Sequence, residues 1–421
     1  MGRWDLVAAT INTVIGAGIF GLPAKAAALL GTYSIYAFIG CAAIVALVVL
    51  CFAEVGSRFR STGGPYLYSR EAFGPFTGFE VGWLVLLARI ASFAANCNLL
   101  VVYLGFFFPA ATGSVVRGIL IATIVAGLAL VNILGIRESK RVTNFLTIAK
   151  LLPLAGFIVV GLFFIDPGNL VADRVPSYAE FGGAFVLVIY AFAGFEIATV
   201  PAGELRDPQK SLPFGLLVGL AIITLVYLTV QLVCMGTLPG LGGSERPLAD
   251  AASRFMGPIG ASVIAAGAIL SILGNSNIGL LGASRLAFAM GEDRSLPAAL
   301  GQVSPRFRTP IVSTIAVSAV MLLLTVQSTF LSALTLASIA RLLAYTTTCI
   351  ALPVFRRKAG KAPFSLPLGP MVAALSVVLL VILLTNVDFG KEGLPVLVAI
   401  GVGAVIFFLT RWWNARVRPA A

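Results

Sequence analysis

The stretch NTVIGAGIFGLP, residues 12–23, decides how this chain folds. It lies inside an apolar segment running from Leu6 to Leu30, long enough as a helix to cross the hydrocarbon of a bilayer. Yet it carries Gly16, Gly18, Gly21 and Pro23, which a continuous spanning helix does not need. Interrupting a helix in hydrocarbon bares N–H and C=O groups at several kcal/mol each unless protein, water or a ligand satisfies them. An interruption here therefore implies a use. A second one is expected in YAFAGFEIATVPAGE, residues 190–204, where Gly194 and the ionisable Glu196 sit mid-segment and Pro201 follows.

Working outward, the 421 residues are 59% hydrophobic and 11% charged, with a mean hydropathy of +1.01. Soluble domains carry roughly 25% charged residues. The composition is that of an all-α integral membrane protein forming one polytopic domain over residues 1–421. Twelve apolar stretches are expected to span, near 6–30, 33–56, 77–108, 116–135, 142–165, 181–203, 212–236, 258–289, 310–327, 330–353, 369–387 and 393–413.

The interruptions fall in the first and sixth stretches, so each occupies the same place in two halves of five, residues 5–165 and 180–353. An odd number of spans per half makes the second half enter from the opposite side. The expectation is a five-plus-five inverted repeat with broken helices 1 and 6, with helices 11 and 12 (369–413) outside it.

The net charge of +12 raises nucleic acid as a partner, and its distribution argues against it. Alternate loops and tails hold Arg3; Arg58, Arg60, Arg70; Arg137, Lys140, Arg141; Arg206, Lys210; Arg285, Arg294, Arg306, Arg308; Arg356, Arg357, Lys358, Lys361; and Arg411, Arg416, Arg418. The opposite loops hold only Arg117, Arg174, Arg246, Arg254 and Lys391. This positive-inside bias leads to the expectation that both termini face the cytoplasm, and the short loops and lack of long soluble tails suit a prokaryotic cytoplasmic membrane. Trp4 and Asp5 lead straight into the first span, so no cleavable signal is expected. The basic run from Arg356 to Lys361 reads as a topology anchor near anionic lipid.

All five cysteines lie within spans at no metal-ligand spacing, and there is no histidine. Imidazole metal sites and His-dependent triads are excluded, no metal or cofactor is expected, and a membrane enzyme is disfavoured.

Chemically, the N-terminal end of the outer half-helix, at Ala17, Gly18 and Ile19, offers free N–H groups and a positive dipole to a carboxylate. The carbonyls before each break, around Val14 and Ile15 and around Ala191 and Phe192, are acceptors for an ammonium. Complementary ends fit a zwitterion, which points to a small-molecule amino acid as substrate.

GAGIFGLP in the first span, FAEVGSRF and GGPYLYSREAFG around the second, GFEIATVPAGELRDPQKSLP through the sixth and GASRLAFAMGEDRSLPAALGQVSPRFRTP after the eighth resemble the amino acid–polyamine–organocation superfamily of permeases. The resemblance runs from about residue 5 to 413 and implies a leucine-transporter-like fold working by alternating access. It implies a substrate carboxylate on the backbone of Ala17, Gly18 and Ile19, and Tyr190 as an aromatic gate. Glu196 matches a glutamate implicated in proton response in arginine/agmatine-exchanging relatives. Lys150 matches the lysine that in proton-coupled relatives stands in for sodium.

Read on its own, Lys150 lies about eight residues, or about 12 Å of rise, into its span. Either its stem carries the ammonium back to the interface, or the buried group gains and loses a proton during a cycle. In the second case protonated Lys150 is expected to bond carbonyls near Ile15. Glu196 is the rival proton carrier, or a cap for the second break, or a partner for Arg89. Arg89, mid-span, is expected to face protein or water and to modulate Lys150, pair with Glu196 or bind an anionic side chain; Arg341 raises the same question. Asn12 is placed at the site, Thr10 and Thr13 on their own helix. The run Asn275 to Asn277, with Ser271, either lines the pathway or bonds between helices. With Lys25, the in-span cations outnumber Glu196 and disfavour a cationic substrate.

The functional expectation is proton-coupled symport of neutral L-amino acids, with the proton as coupling ion. An exchanger of the same fold is the nearest alternative, and a non-transporting amino acid sensor the second. Sodium symport is disfavoured by Lys150, and a channel by the absence of a filter motif.

Overall fold

The computed structural model describes residues 2–59, 63–135, 140–172, 174–199 and 207–417. Arg60, Arg137, Arg206 and Arg418 of the charge pattern lie outside the described residues, as does Pro201 of the second interruption.

The chain is helical throughout its ordered elements: α1 (Arg3–Val14), α2 (Ala17–Leu30), α3 (Ser34–Gly56), α4 (Gly64–Phe73), α5 (Pro75–Phe107), α6 (Ser114–Ile133), α7 (Lys140–Gly161), α8 (Tyr178–Val188), α9 (Phe195–Ala198), α10 (Pro208–Thr237), α11 (Pro247–Phe255), α12 (Gly257–Glu292), α13 (Ile311–Gln327), α14 (Phe330–Ala359), α15 (Gly369–Thr385) and α16 (Leu394–Val417). Starts are set by local chemistry. Pro75 opens α5, where its missing N–H costs nothing, and Ser177 with Glu180 forms a capping box at α8.

Among the described residues eight helices are long and apolar enough to cross a membrane, and three more, Lys150–Phe164, Ile311–Gln327 and Gly369–Thr385, are apolar but shorter. The difference from twelve full-length spans has local causes. α1 stops at Val14 because the backbone unwinds there, and α2 and α3 run together as one 40-residue apolar stretch, Ala17–Gly56, joined by a single 3₁₀ turn.

α5 is the central strut, packed on α12, α13 and α14. α1 lies along α10, where Gly215 and Gly219 admit Leu6 and Thr10 at a distance no larger residue would allow. In a bilayer such close packing, rather than apolar burial, holds helices together. α6 and α16 turn apolar side chains outward, with Ile119 61% and Leu397 56% exposed, as helices facing lipid do.

At one end of the bundle Glu54, fully buried on α3, accepts both Nε and Nη2 of Arg356 at 2.7 Å and the Leu366 N–H at 2.8 Å. This ties α3 to α14 and to the segment leading into α15.

Candidate functional site

The first break is short. α1 ends at Val14, Ile15 is extended, Gly16 takes φ −133° and ψ −141°, and α2 starts at Ala17. The last carbonyls of a helix have no partner within it, and here those of Asn12, Thr13 and Val14, with that of Ile15 beyond, find donors on other helices. Lys150 Nζ donates to Asn12 O at 2.9 Å and Ile15 O at 3.1 Å. Asn275 Nδ2 donates to Thr13 O at 3.2 Å. The Tyr227 hydroxyl reaches Val14 O at 3.2 Å and, across to the second break, Ala191 O at 2.9 Å. Thr10 and Thr13 bond back to their own helix.

Pro23 does not end a helix, contrary to its reading as part of the interruption. It lies inside α2, and the break is made by Ile15 and Gly16.

The second break begins where α8 tightens into a 3₁₀ turn over Ile189–Phe192, continues through extended Ala193, and turns at Gly194 with φ +117°. A side chain at Gly194 would be strained by that φ, and its Cβ would sit 2.7 Å from Thr13 O. Gly18 is under the same kind of constraint, since its Cβ would lie 2.9 Å from Ala191 Cα. The two unwound backbones therefore touch each other through their glycines.

Glu196 is 2% exposed and fully engaged. Oε2 accepts the Gly194 N–H at 2.8 Å and the Tyr345 hydroxyl at 2.7 Å, while Oε1 accepts Arg341 Nε at 3.2 Å. It caps the second break and pairs with Arg341 of α14. Pairing with Arg89, one of the sequence expectations, is corrected: the ion pair that Glu196 makes among the described residues is with Arg341.

Between the breaks lies a cavity of about 40 Å³, lined by residues of α1, α2, α5, α8, α9, α12 and α14 or of the turns beside them. Of the sequence candidates, Val14, Ala17, Gly18, Tyr190, Gly194, Arg89 and Asn275 line it. Asn12, Ile15, Ile19, Ala191 and Phe192 do not. Asn12 and Ile15 spend their carbonyls on Lys150, Ile19 is buried in the core, Ala191 is held by Tyr227, and Phe192 packs edge-on against the Tyr227 ring at 5.2 Å. The carbonyls expected to be free for an ammonium are thus largely engaged by side chains. Lys150 and Glu196 stand behind the lining, each bonded to the unwound backbone.

Three side chains, of Asn96, Tyr227 and Tyr345, and the main-chain carbonyl of Ser92 complete the site without having been singled out from sequence. Asn96 on α5 accepts from the Tyr190 hydroxyl at 3.2 Å and donates to Asn275 Oδ1 at 3.0 Å, so a chain of bonds runs from Tyr190 to Thr13 O. Ser92 O also accepts from Tyr190, at 3.4 Å. Tyr227 bridges the two breaks, and Tyr345 holds Glu196 at the second. Arg341 Cζ sits 5.7 Å above the Tyr190 ring, a cation–π contact with the expected gate. In the polar run on α12 the roles divide: Asn275 lines the cavity, Asn277 accepts from Asn132 of α6, and Ser276 bonds to its own helix.

Arg89 is 6% exposed, lines the cavity, and has no ion pair or hydrogen bond among the described residues.

A buried polar cavity at two touching helix interruptions, inside an apolar helical bundle, defines a membrane solute carrier. The amino acid permease family model matches residues 1–408, and the chain belongs to that family. It is 28% identical to a branched-chain amino acid permease of Bacillus subtilis, over 97% of this chain and 92% of the relative. It is 30% identical to a serine/threonine exchanger of the same organism, covering 87% and 86%, and 29% identical to its methylthioribose transporter, covering 97% and 92%. The protein is accordingly a multi-pass membrane permease for a small molecule, not an enzyme.

Proposed function

We propose that this permease moves an amino acid by alternating access through a twelve-span, five-plus-five inverted-repeat bundle with cytoplasmic termini, and that Lys150 couples the movement to a proton. The observation that carries this reading is the Lys150 ammonium bridging Asn12 O and Ile15 O at the first break. Charge-assisted hydrogen bonds are about twice as strong as neutral ones. Loss of the proton therefore weakens both bonds at once and frees α1 to move relative to α7.

The N-terminus of α2 offers N–H groups at Ala17 and Gly18 to the substrate carboxylate. Thr13 and Val14 line the cavity, and each carbonyl, bonded once to Asn275 or Tyr227, keeps a second lone pair for the ammonium. These main-chain contacts read only carboxylate and amine, which suits the expected neutral amino acid as well as any other. A cavity of about 40 Å³ holds about two or three waters and no amino acid. Tyr190 must leave Asn96 and Ser92 for substrate to enter, which makes it the gate.

A second reading is exchange of one amino acid for another. The sealed state of Glu196, where the superfamily resemblance places the exchangers' glutamate, favours it, and one relative carries the name of an exchanger. Proteoliposomes separate the two. Accumulation from an acidic exterior into empty vesicles, unchanged when sodium is replaced, is the symport result. Flux only into vesicles preloaded with amino acid is the exchange result. No flux under either condition contradicts transport and leaves a sensor.

A further inference from the structure

Arg89 is a buried cation that makes no hydrogen bond or ion pair among the described residues. Glu196, the carboxylate nearest the site, already accepts from Arg341, Tyr345 and the Gly194 N–H. Glu54, the other fully buried carboxylate, is held by Arg356, and the half-buried Glu80 of α5 is nine residues and about 13 Å of helical rise from Arg89, against Gly403 of α16. Counting the groups that face or back the cavity, two guanidiniums and the Lys150 ammonium meet one carboxylate, a surplus of two positive charges while Lys150 holds its proton. Room for Arg89 is built in: Gly282 of α12 lies against its Nη1, where any Cβ would collide. An isolated buried charge is costly and persists where it has a task.

From this unpartnered guanidinium in the cavity wall we infer that the permease selects a dicarboxylic α-amino acid, whose side-chain carboxylate Arg89 receives. The inference rests on the transport reading above and adds the substrate's side chain. The α-carboxylate is provided for separately by the Ala17 and Gly18 N–H groups, so Arg89 is available for a second anion. A guanidinium binds carboxylate through two parallel N–H···O bonds, which a side-chain amide of the same shape cannot reproduce. Discrimination therefore falls between glutamate and glutamine, or aspartate and asparagine, pairs nearly equal in size and different in charge.

The test is uptake of radiolabelled L-glutamate, L-aspartate, L-glutamine and L-asparagine by the full-length protein in proteoliposomes. Wild type is expected to take up each acid at least about thirtyfold better than its amide, the lower end for removing one partner of a buried charge pair. Arg89→Gln is expected to collapse that ratio to near one, and Arg89→Lys to keep acid ahead of amide. The inference is overturned if wild type handles the amides as well as the acids, or if Arg89→Gln leaves the ratio unchanged. Should another amino acid be transported and none of these four, the inference fails while the transport reading stands; should no amino acid be transported, both fail. Thermal stabilisation of detergent-purified wild type by glutamate but not glutamine checks the same point without a variant, and equal stabilisation overturns it.

Discussion

The two breaks solve one problem with different chemistry. At the first, neutral carbonyls are sealed by donors from three distant helices: Lys150 on α7, Tyr227 on α10 and Asn275 on α12. At the second, the seal is a carboxylate of the broken segment itself, fixed by Arg341 and Tyr345 of one neighbour, α14. The first seal depends on a proton on one lysine, whereas the second is an ion pair complete within the protein. A switch and a latch are expected to fail differently, and the contrast can be tested residue by residue.

The largest loss of stability is expected at the second break. Glu196→Gln leaves the Arg341 charge buried beside Arg89 with no anion, and breaking a buried pair costs about 3–5 kcal/mol. Thermal unfolding in detergent reads this, together with loss of both gradient-driven uptake and counterflow. Lys150→Met comes next. It strips the donor from two buried carbonyls, at about 1–3 kcal/mol each, and is expected to abolish gradient-driven uptake while counterflow persists.

Tyr227→Phe removes one hydroxyl shared by both breaks, at about 1–3 kcal/mol. Because it touches both, it should lower stability without separating uptake from counterflow. Gly18→Ala drives a Cβ toward Ala191 Cα, an overpacking cost of about 1–3 kcal/mol. Its main expected effect is on substrate: a raised KM, since Gly18 borders the cavity at the α2 N-terminus.

Much of this was legible in the sequence, and the misses have physical causes. Long apolar runs gave α3, α5 and α12 within a few residues, because a helix in hydrocarbon must be continuous and apolar to satisfy itself. Both interruptions were visible as glycines out of place, and the expected bond from Lys150 to the Ile15 carbonyl is present. Pro23 misled because a proline is tolerated inside a membrane helix when neighbours re-satisfy the backbone. Tyr227 was invisible because hydropathy counts the ring and not the hydroxyl, and its two acceptors lie far away in sequence. The choice of Arg341 over Arg89 as partner for Glu196 depends on which faces of α14 and α5 turn inward, which periodicity cannot give for helices apolar all round. The short helices α4 and α11, lying between the apolar stretches, left no signal in a search for spans.

The central claim is that the proton on Lys150 governs the first break. Its most direct test is substrate accumulation by Lys150→Met proteoliposomes under an acid-outside gradient, beside wild type at equal protein density. The account predicts that wild type concentrates substrate and the variant only equilibrates it. Accumulation by the variant with the wild-type dependence on the pH gradient would contradict it.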